Sequence, residues 1–132
     1  MEVVTALRSA QPGPDADEVL RAVDLATIVA GRLLGLPVAE PLLGCSAATL
    51  DLEAAREELR TAESSAPPPQ LTGAGAADVQ PVLSAVAVLV DFAGHALDEL
   101  VAAAGDAAPV DAWRRAGEHL REAARWLRQD PP

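Results

Sequence analysis

The 132-residue sequence is poor in aromatic residues, has no lysine and contains one cysteine. Phe92, Trp113 and Trp126 are its only Phe, Trp or Tyr residues, so alanine, leucine and valine must fill a hydrophobic core. All ten basic residues are arginine. Because Cys45 is the single cysteine, an internal disulfide is excluded, and a reducing compartment fits this usage.

The sequence also lacks the patterns of membrane insertion and export. No apolar run reaches the roughly 20 residues that a bilayer-spanning helix needs. The first ten residues contain the acidic Glu2 and no apolar stretch before Arg8, which is not the pattern of a signal peptide. We therefore expect a cytoplasmic protein that does not bind membranes.

The formal net charge is −10, and its sign bears on the partners of the chain. Nucleic acids and anionic membrane surfaces both reward clustered basic residues, so neither is expected as a partner. The charge is uneven, because residues 61–113 contain no arginine or lysine whereas residues 114–128 contain five arginines. These arginines, which include Arg114, Arg121 and Arg125, indicate attraction between the last two helices, a solvated face, or a docking surface for an acidic protein partner.

Apolar residues recur at intervals of three and four along most of the chain, which is the period of an amphipathic helix. Proline and glycine interrupt this pattern at residues 12–14, 35–44, 65–77 and 105–109. We therefore predict four helices, which cover residues 15–35, 46–64, 78–105 and 109–129. Asp15 and Glu18 have the spacing of a capping box at the start of the first helix.

The predicted fold is all-α, a four-helix antiparallel bundle in a single domain of residues 1–132. The helices at 15–35 and 78–105 are the most apolar and are expected to form the centre, with the other two flanking them. Residues 1–14 are expected to be a lead segment. The Pro/Gly-rich stretch 65–77 is expected to be a flexible linker between the second and third helices.

The helix at 15–35 has more apolar surface than one bundle needs. Beside its main apolar stripe lie four further apolar residues, namely Leu20, Leu25, Ile28 and Leu34. We expect these four to form a homodimer interface. The alternative is that the lead segment and Leu42–Leu43 cover them within one chain.

A polar strip on the helix at 78–105 contains Asp91, His95, Asp98 and Glu99. Imidazole and carboxylate groups are ordinary metal ligands, so a metal site is one interpretation of this row. Di-iron bundles, however, need two Glu-x-x-His motifs, and neither His95 nor His119 has glutamate three residues earlier. We therefore expect no metal and no cofactor.

The residues His95-Ala96-Leu97, followed by Gly105, resemble the core of histidine phosphotransfer domains. That family has His-x-Leu-Lys-Gly with a second glycine about six residues later, on a four-helix bundle of similar size. The resemblance implies that His95 is a phosphoacceptor. Asp98 and Glu99 stand where the family has lysine and glycine, and carboxylates beside an acquired phosphate repel it.

Arg114 and His119 have a spacing that is similar to the Arg-x4–6-His motif of HEPN ribonucleases, which are small all-α proteins. The resemblance implies that these two residues act on RNA. Arg115 stands where the family usually has asparagine, aspartate or histidine, and the acidic net charge opposes RNA binding.

These observations favour binding over catalysis. Cys45 lies just before the second predicted helix, whose N-terminus favours a thiolate, but free cysteine more often packs as a small hydrophobe. We expect a non-enzymatic cytoplasmic interaction or assembly module that self-associates. The alternatives are phosphotransfer through His95 and an HEPN-like ribonuclease that uses Arg114 and His119.

Overall fold

In a computed structural model, the described residues are 2–9, 15–34, 43–61, 79–104 and 110–129, and they are helical apart from Asp15. They form five helices, α1 (Glu2–Ser9), α2 (Ala16–Leu34), α3 (Leu43–Thr61), α4 (Val79–Ala104) and α5 (Val110–Gln129). The all-α prediction is confirmed for this part of the chain. The predicted linker at 65–77 lies outside the described residues.

The four predicted helices correspond to α2–α5, with boundaries that differ by at most three residues. At the start of α2, Asp15 Oδ1 accepts hydrogen bonds from the backbone N–H groups of Asp17 at 2.9 Å and Glu18 at 3.3 Å. This cap satisfies N–H groups that have no partner within the helix. The largest difference is in α3, which begins at Leu43 rather than at Ser46 because the extra turn buries Cys45 against α2.

The prediction of only four helices, with residues 1–14 as a lead segment, omitted α1. A helix of eight residues is marginal by itself, because its first turn costs more than its few hydrogen bonds return. Leu7 provides the missing stabilisation, since its side chain is buried in the same cluster as residues of α2 and α4. Packing against α2 and α4 therefore stabilises a helix in this segment, although its apolar pattern is too short to predict one.

The helices α2 and α5 each pack against both α3 and α4, and α1 packs mainly on α4. The expectation that α3 and α5 only flank a centre of α2 and α4 is wrong, because α5 has the most extensive contacts with its neighbours.

Polar contacts between side chains show whether neighbouring helices run in the same or in opposite directions. Asp51 and Glu58 of α3 contact His119 and Arg115 in reverse order, so α3 and α5 run in opposite directions.

The core is built from alanine, leucine and valine, as the composition predicts. Leu89, Val90, Leu97, Leu120 and Leu127 are buried as their helical spacing predicts, and Leu100 is half-buried. None of the three large aromatic residues is buried, since Phe92 and Trp126 are exposed and Trp113 is half-buried. Among the described helices, none combines the length and the hydropathy that would let it cross a membrane.

Candidate functional site

The four apolar residues proposed for a dimer interface on α2 have different surroundings. Leu20 and Leu25 are buried in the core of their own chain, where Leu7 of α1 belongs to the same cluster. They are therefore not available to a second copy, which corrects their assignment to an interface. Ile28 is half-buried and Leu34 is 40% exposed, so only these two remain as apolar surface on α2. Of the residues expected to cover them within the chain, Leu43 is 72% exposed, and Leu42 lies outside the described residues.

The most exposed large apolar side chains of the described residues lie on α3. Leu43 is 72% exposed and Leu50 is 70% exposed. Together with half-buried alanines at intervals of four and three, they form the outer strip, which consists of Leu43, Ala47, Leu50 and Ala54. The inner face of the same helix, with Ala48, Leu52, Ala55 and Leu59, is buried. Helix α3 therefore has two apolar faces, of which the described part of the chain covers one.

Polar residues flank the outer strip on both sides. Toward α5, Asp51 Oδ1 lies 3.2 Å from His119 Nδ1, and Glu58 Oε2 accepts a hydrogen bond from Arg115 Nε at 3.0 Å. On the opposite side, Glu53 and Glu57 are exposed. These contacts fix the rotation of α3 about its axis, because they hold one edge of the strip against α5. The two leucines consequently point away from the body of the protein.

Trp126 extends the apolar surface at one end of the strip. It follows His119 by seven residues and Arg115 by eleven, so it lies on the side of α5 that faces α3. Since α3 and α5 run in opposite directions, Trp126 is at the level of the first turn of α3. Its side chain keeps 36% of its surface exposed. An exposed indole at one end of a strip that carries two exposed leucines is typical of a protein-binding surface.

The outer strip was not identified from the sequence, although its spacing is visible there. In the sequence, the regular series Ala48, Leu52, Ala55 and Leu59 predicts one narrow apolar seam on this helix. The residues Leu43, Ala47, Leu50 and Ala54 have the same four-three-four spacing. Two such series on one helix indicate two apolar faces, and a sequence does not show which face the chain covers.

The three arginines proposed for a docking surface each contact an acidic residue. Arg121 donates to Asp98 Oδ1 on α4 at 2.8 Å, whereas Arg114 and Arg125 pair with Asp111 and Glu122 within α5. A second link to α4 joins Arg128 and Asp91. Because the arginine charges are compensated inside the chain, these contacts favour attraction between α4 and α5 over a basic docking surface.

His95 is exposed on α4 beside a surface depression of about 200 Å³. Asp91 and Asp98 lie one turn away on either side and also line the depression, as do Val90, Gly94, Leu120 and Arg121. Both carboxylates have arginine partners on α5, so their charge beside His95 is partly compensated. Among the described residues, no group of three His, Cys, Asp or Glu side chains is arranged to hold a metal ion.

The structure does not bring Arg114 and His119 together. Five positions along a helix correspond to a rotation of about 140°, which places the two side chains on different sides of α5. Arg114 Nη1 lies 3.6 Å from Asp111, one turn earlier on the same helix, whereas His119 contacts Asp51 of α3. This separation does not support a shared ribonuclease site.

Cys45 is buried in the core, and its Sγ lies 3.6 Å from the carbonyl oxygen of Ala30 on α2. A thiol that donates to a backbone carbonyl in an apolar core behaves as a small packing residue. Of the two roles considered for this cysteine, the structure supports the packing role.

Asp24 is a buried carboxyl group that sequence reasoning did not single out. Its side chain is 1% exposed, and Arg56 Nε and Arg60 Nη2 of α3 lie 3.7 Å and 3.6 Å from its Oδ1. Desolvation raises the pKa of Asp24, and the two guanidinium groups oppose that rise only in part. The contacts are ion pairs rather than hydrogen bonds, since both distances exceed 3.5 Å.

No protein-family model, curated protein or solved structure matches this chain. A functional interpretation therefore rests on the geometry of the chain's own residues. Among the described surfaces, the outer strip of α3 departs most in composition and exposure from the surface of an ordinary helix.

Proposed function

We propose that this protein is a non-enzymatic helical interaction module that works by binding another protein chain, and that it self-associates in the cytoplasm. The observation that carries the proposal is the outer strip of α3, where Leu43 and Leu50 are about 70% exposed on one side of a helix. Contiguous apolar surface with a polar rim is typical of protein interaction sites. Removing it from water is favourable by about 25 cal/mol per Å².

The proposal includes an architecture in which α2–α5 form an antiparallel four-helix bundle, with the linker at 65–77 between α3 and α4. Reverse-order ion pairs between α4 and α5, and between α3 and α5, support it. Such a bundle keeps the outer strip on a rigid element. A rigid surface loses little conformational entropy on binding, which suits an interaction module.

The chemistry of the single cysteine supports the proposed cytoplasmic location. Cys45 is reduced and packed in the core, and the fold of the described residues uses no disulfide. Folds of this kind are stable where thiols remain reduced.

Quantitative affinity capture tests the proposed function. The full chain, the variant Leu50→Glu and the control Val88→Glu are tagged and expressed at equal levels in the native host. Val88 is an exposed apolar residue of α4, so the control adds the same charge on another surface. We expect proteins captured by the parent to be lost with Leu50→Glu and retained with Val88→Glu. Identical captured sets for all three would show that the strip binds no protein.

A second candidate function is phosphotransfer through His95. It is favoured by one observation, namely that this exposed imidazole adjoins a depression lined by Arg121, whose guanidinium group suits an anion. Incubation with a phosphorylated receiver domain tests it, with His95→Gln as the comparison. Acid-labile phosphorylation that requires His95 would replace the interaction module by a phosphotransfer protein, and we expect none.

A further inference from the structure

We infer that the outer strip of α3 binds a second copy of this chain, with the two α3 helices antiparallel about a two-fold axis between residues 48 and 49. This inference rests on the proposed function and specifies its partner. A two-fold axis requires a surface that is complementary to itself. The order of large and small residues on the strip has this property.

The strip alternates large and small side chains, as Leu43, Ala47, Leu50 and Ala54. In the antiparallel arrangement, Leu50 lies against Ala47 of the second copy, and Leu43 lies against Ala54 of the second copy. Every layer of the interface then contains one leucine and one alanine. Constant layer volume permits close packing along the whole seam, which is the condition for a helix interface without cavities.

A parallel arrangement of the same strips packs poorly. Leu50 would face Leu50 of the second copy, and Ala47 would face Ala47, so filled leucine layers would alternate with alanine layers that leave voids. Cavities of this kind are destabilising. The side chains of the strip therefore select the antiparallel orientation.

The charged residues beside the strip favour the same orientation. In the antiparallel pair, Glu53 lies near Ser46 of the second copy, and Asp51 lies near Gly44 of the second copy, so neither of these two carboxylates meets a like charge. In a parallel pair, Glu53 would adjoin Glu58 of the second copy on both sides of the seam. Like charges at such positions are destabilising and set the orientation of helix pairs.

The size of the strip predicts the strength of the dimer. From Leu43 to Ala54 the strip is about 17 Å long, at 1.5 Å per residue. Stable interfaces bury roughly 1,200–2,000 Å² in total, and one short helix pair with Trp126 at its edge is a small interface on this scale. We therefore expect a monomer–dimer equilibrium with a dissociation constant in the micromolar range.

Sedimentation equilibrium of the full chain tests the interface. The parent is expected to shift from monomer to dimer as its concentration rises. Leu50→Glu and, independently, Leu43→Glu are expected to weaken dimerisation at least tenfold. Both side chains are about 70% exposed, so these variants should keep the parent's circular dichroism spectrum. Leu34→Glu is the matched control, because it adds the same charge to an exposed leucine on α2.

Disulfide trapping tests the orientation. Chains with Ala47→Cys and chains with Leu50→Cys are prepared separately, one of them isotopically labelled, and then mixed and oxidised. Cys45 is fully buried and does not compete. The antiparallel dimer predicts that the mixed disulfide forms in excess over both self-disulfides, because residues 47 and 50 face each other. An excess of self-disulfides would overturn the inference.

The remaining outcomes separate the inference from the proposed function. A dimer that Leu34→Glu dissociates and Leu50→Glu does not would place the interface on α2, which overturns the inference alone. A parent that stays monomeric while it captures another protein through Leu50 would overturn the inference and the self-association in the proposed function, and would leave the interaction module. A monomer whose captured proteins are unaffected by Leu50→Glu would overturn both.

Discussion

Asp24 is the residue whose surroundings depart most from those it would have in water. It lies near the middle of α2, with apolar residues before and after it, and its carboxyl group is buried. The buried carboxylate lacks the hydration that stabilises its charge in water. Arg56 and Arg60 offset this desolvation cost only in part, because both guanidinium groups are themselves partly exposed. The raised pKa of Asp24 records this imbalance.

We predict that Asp24→Asn stabilises the fold at neutral pH and has little effect at acid pH. The folded-state pKa of Asp24 lies above 3.8, so the folded protein binds this proton more tightly than the unfolded chain does. As the pH rises from below 3.8 through the raised pKa, the parent loses stability that the amide keeps. The gain in stability grows with the rise that burial causes in the pKa of Asp24.

Denaturant titration of both proteins between pH 3 and pH 7 measures this difference. The matched control is Asp98→Asn, which makes the same chemical change at a half-exposed carboxylate paired with Arg121, where the expected cost is within about 1 kcal/mol. If Asp24→Asn were less stable than the parent at pH 7, the ion pairs with Arg56 and Arg60 would outweigh desolvation, and our account of this residue would be incorrect.

In the single helix α3, periodicity predicts apolar faces but does not predict which of them is buried. The inner series Ala48, Leu52, Ala55 and Leu59 was recognised from the sequence, and the structure buries it. The outer strip has the same spacing, so periodicity alone gives both faces equal weight. Only the packing of α2 and α5 decides which face becomes core. The same limit applies to α2, where the residues beside the main stripe were assigned to an interface although Leu20 and Leu25 are core residues.

Two leucines of α3 give a direct test of these two faces. Leu52 is fully buried and Leu50 is 70% exposed, although only one residue separates them. We predict that Leu52→Ala lowers the free energy of unfolding by about 2–5 kcal/mol, since it leaves a cavity. Leu50→Ala should change it by less than about 0.5 kcal/mol, as surface substitutions do.

Thermal or denaturant unfolding at a protein concentration where the chain is monomeric gives both values. At higher concentration, Leu50→Ala should lose the stabilisation that dimerisation adds to the parent, because a partner that binds only the folded state stabilises it. Equal effects of the two substitutions in the monomer would show that the rotation of α3 differs from the one described.

For the whole molecule, the sequence predicts the positions of the four longer helices but not their neighbours. Composition and spacing indicate an alanine-, leucine- and valine-rich core, and this core is observed. The contacts of α5 with both α3 and α4, and the polar contacts Asp51–His119 and Asp98–Arg121, depend on the register between helices. Residues more than 20 positions apart set that register, and no local pattern encodes it. The added helix α1 depends in the same way on contacts with distant residues.

The net charge gives a prediction that concerns the whole molecule. Each copy has a formal charge of −10, so two copies repel each other as they approach. The interface inferred on α3 is apolar and contains no ion pairs between copies, so salt screens the repulsion without weakening the attraction. Raising the ionic strength from about 0.01 M to about 0.15 M shortens the screening length from about 30 Å to about 8 Å. We therefore predict that dimerisation becomes several-fold stronger over this range, as measured by sedimentation equilibrium at the two salt concentrations.

The control is Leu50→Glu, which should remain monomeric at both salt concentrations. A dimer that weakens as salt is added would instead be held by arginine–carboxylate pairs between copies, which would move the interface from the outer strip to the arginines of α5.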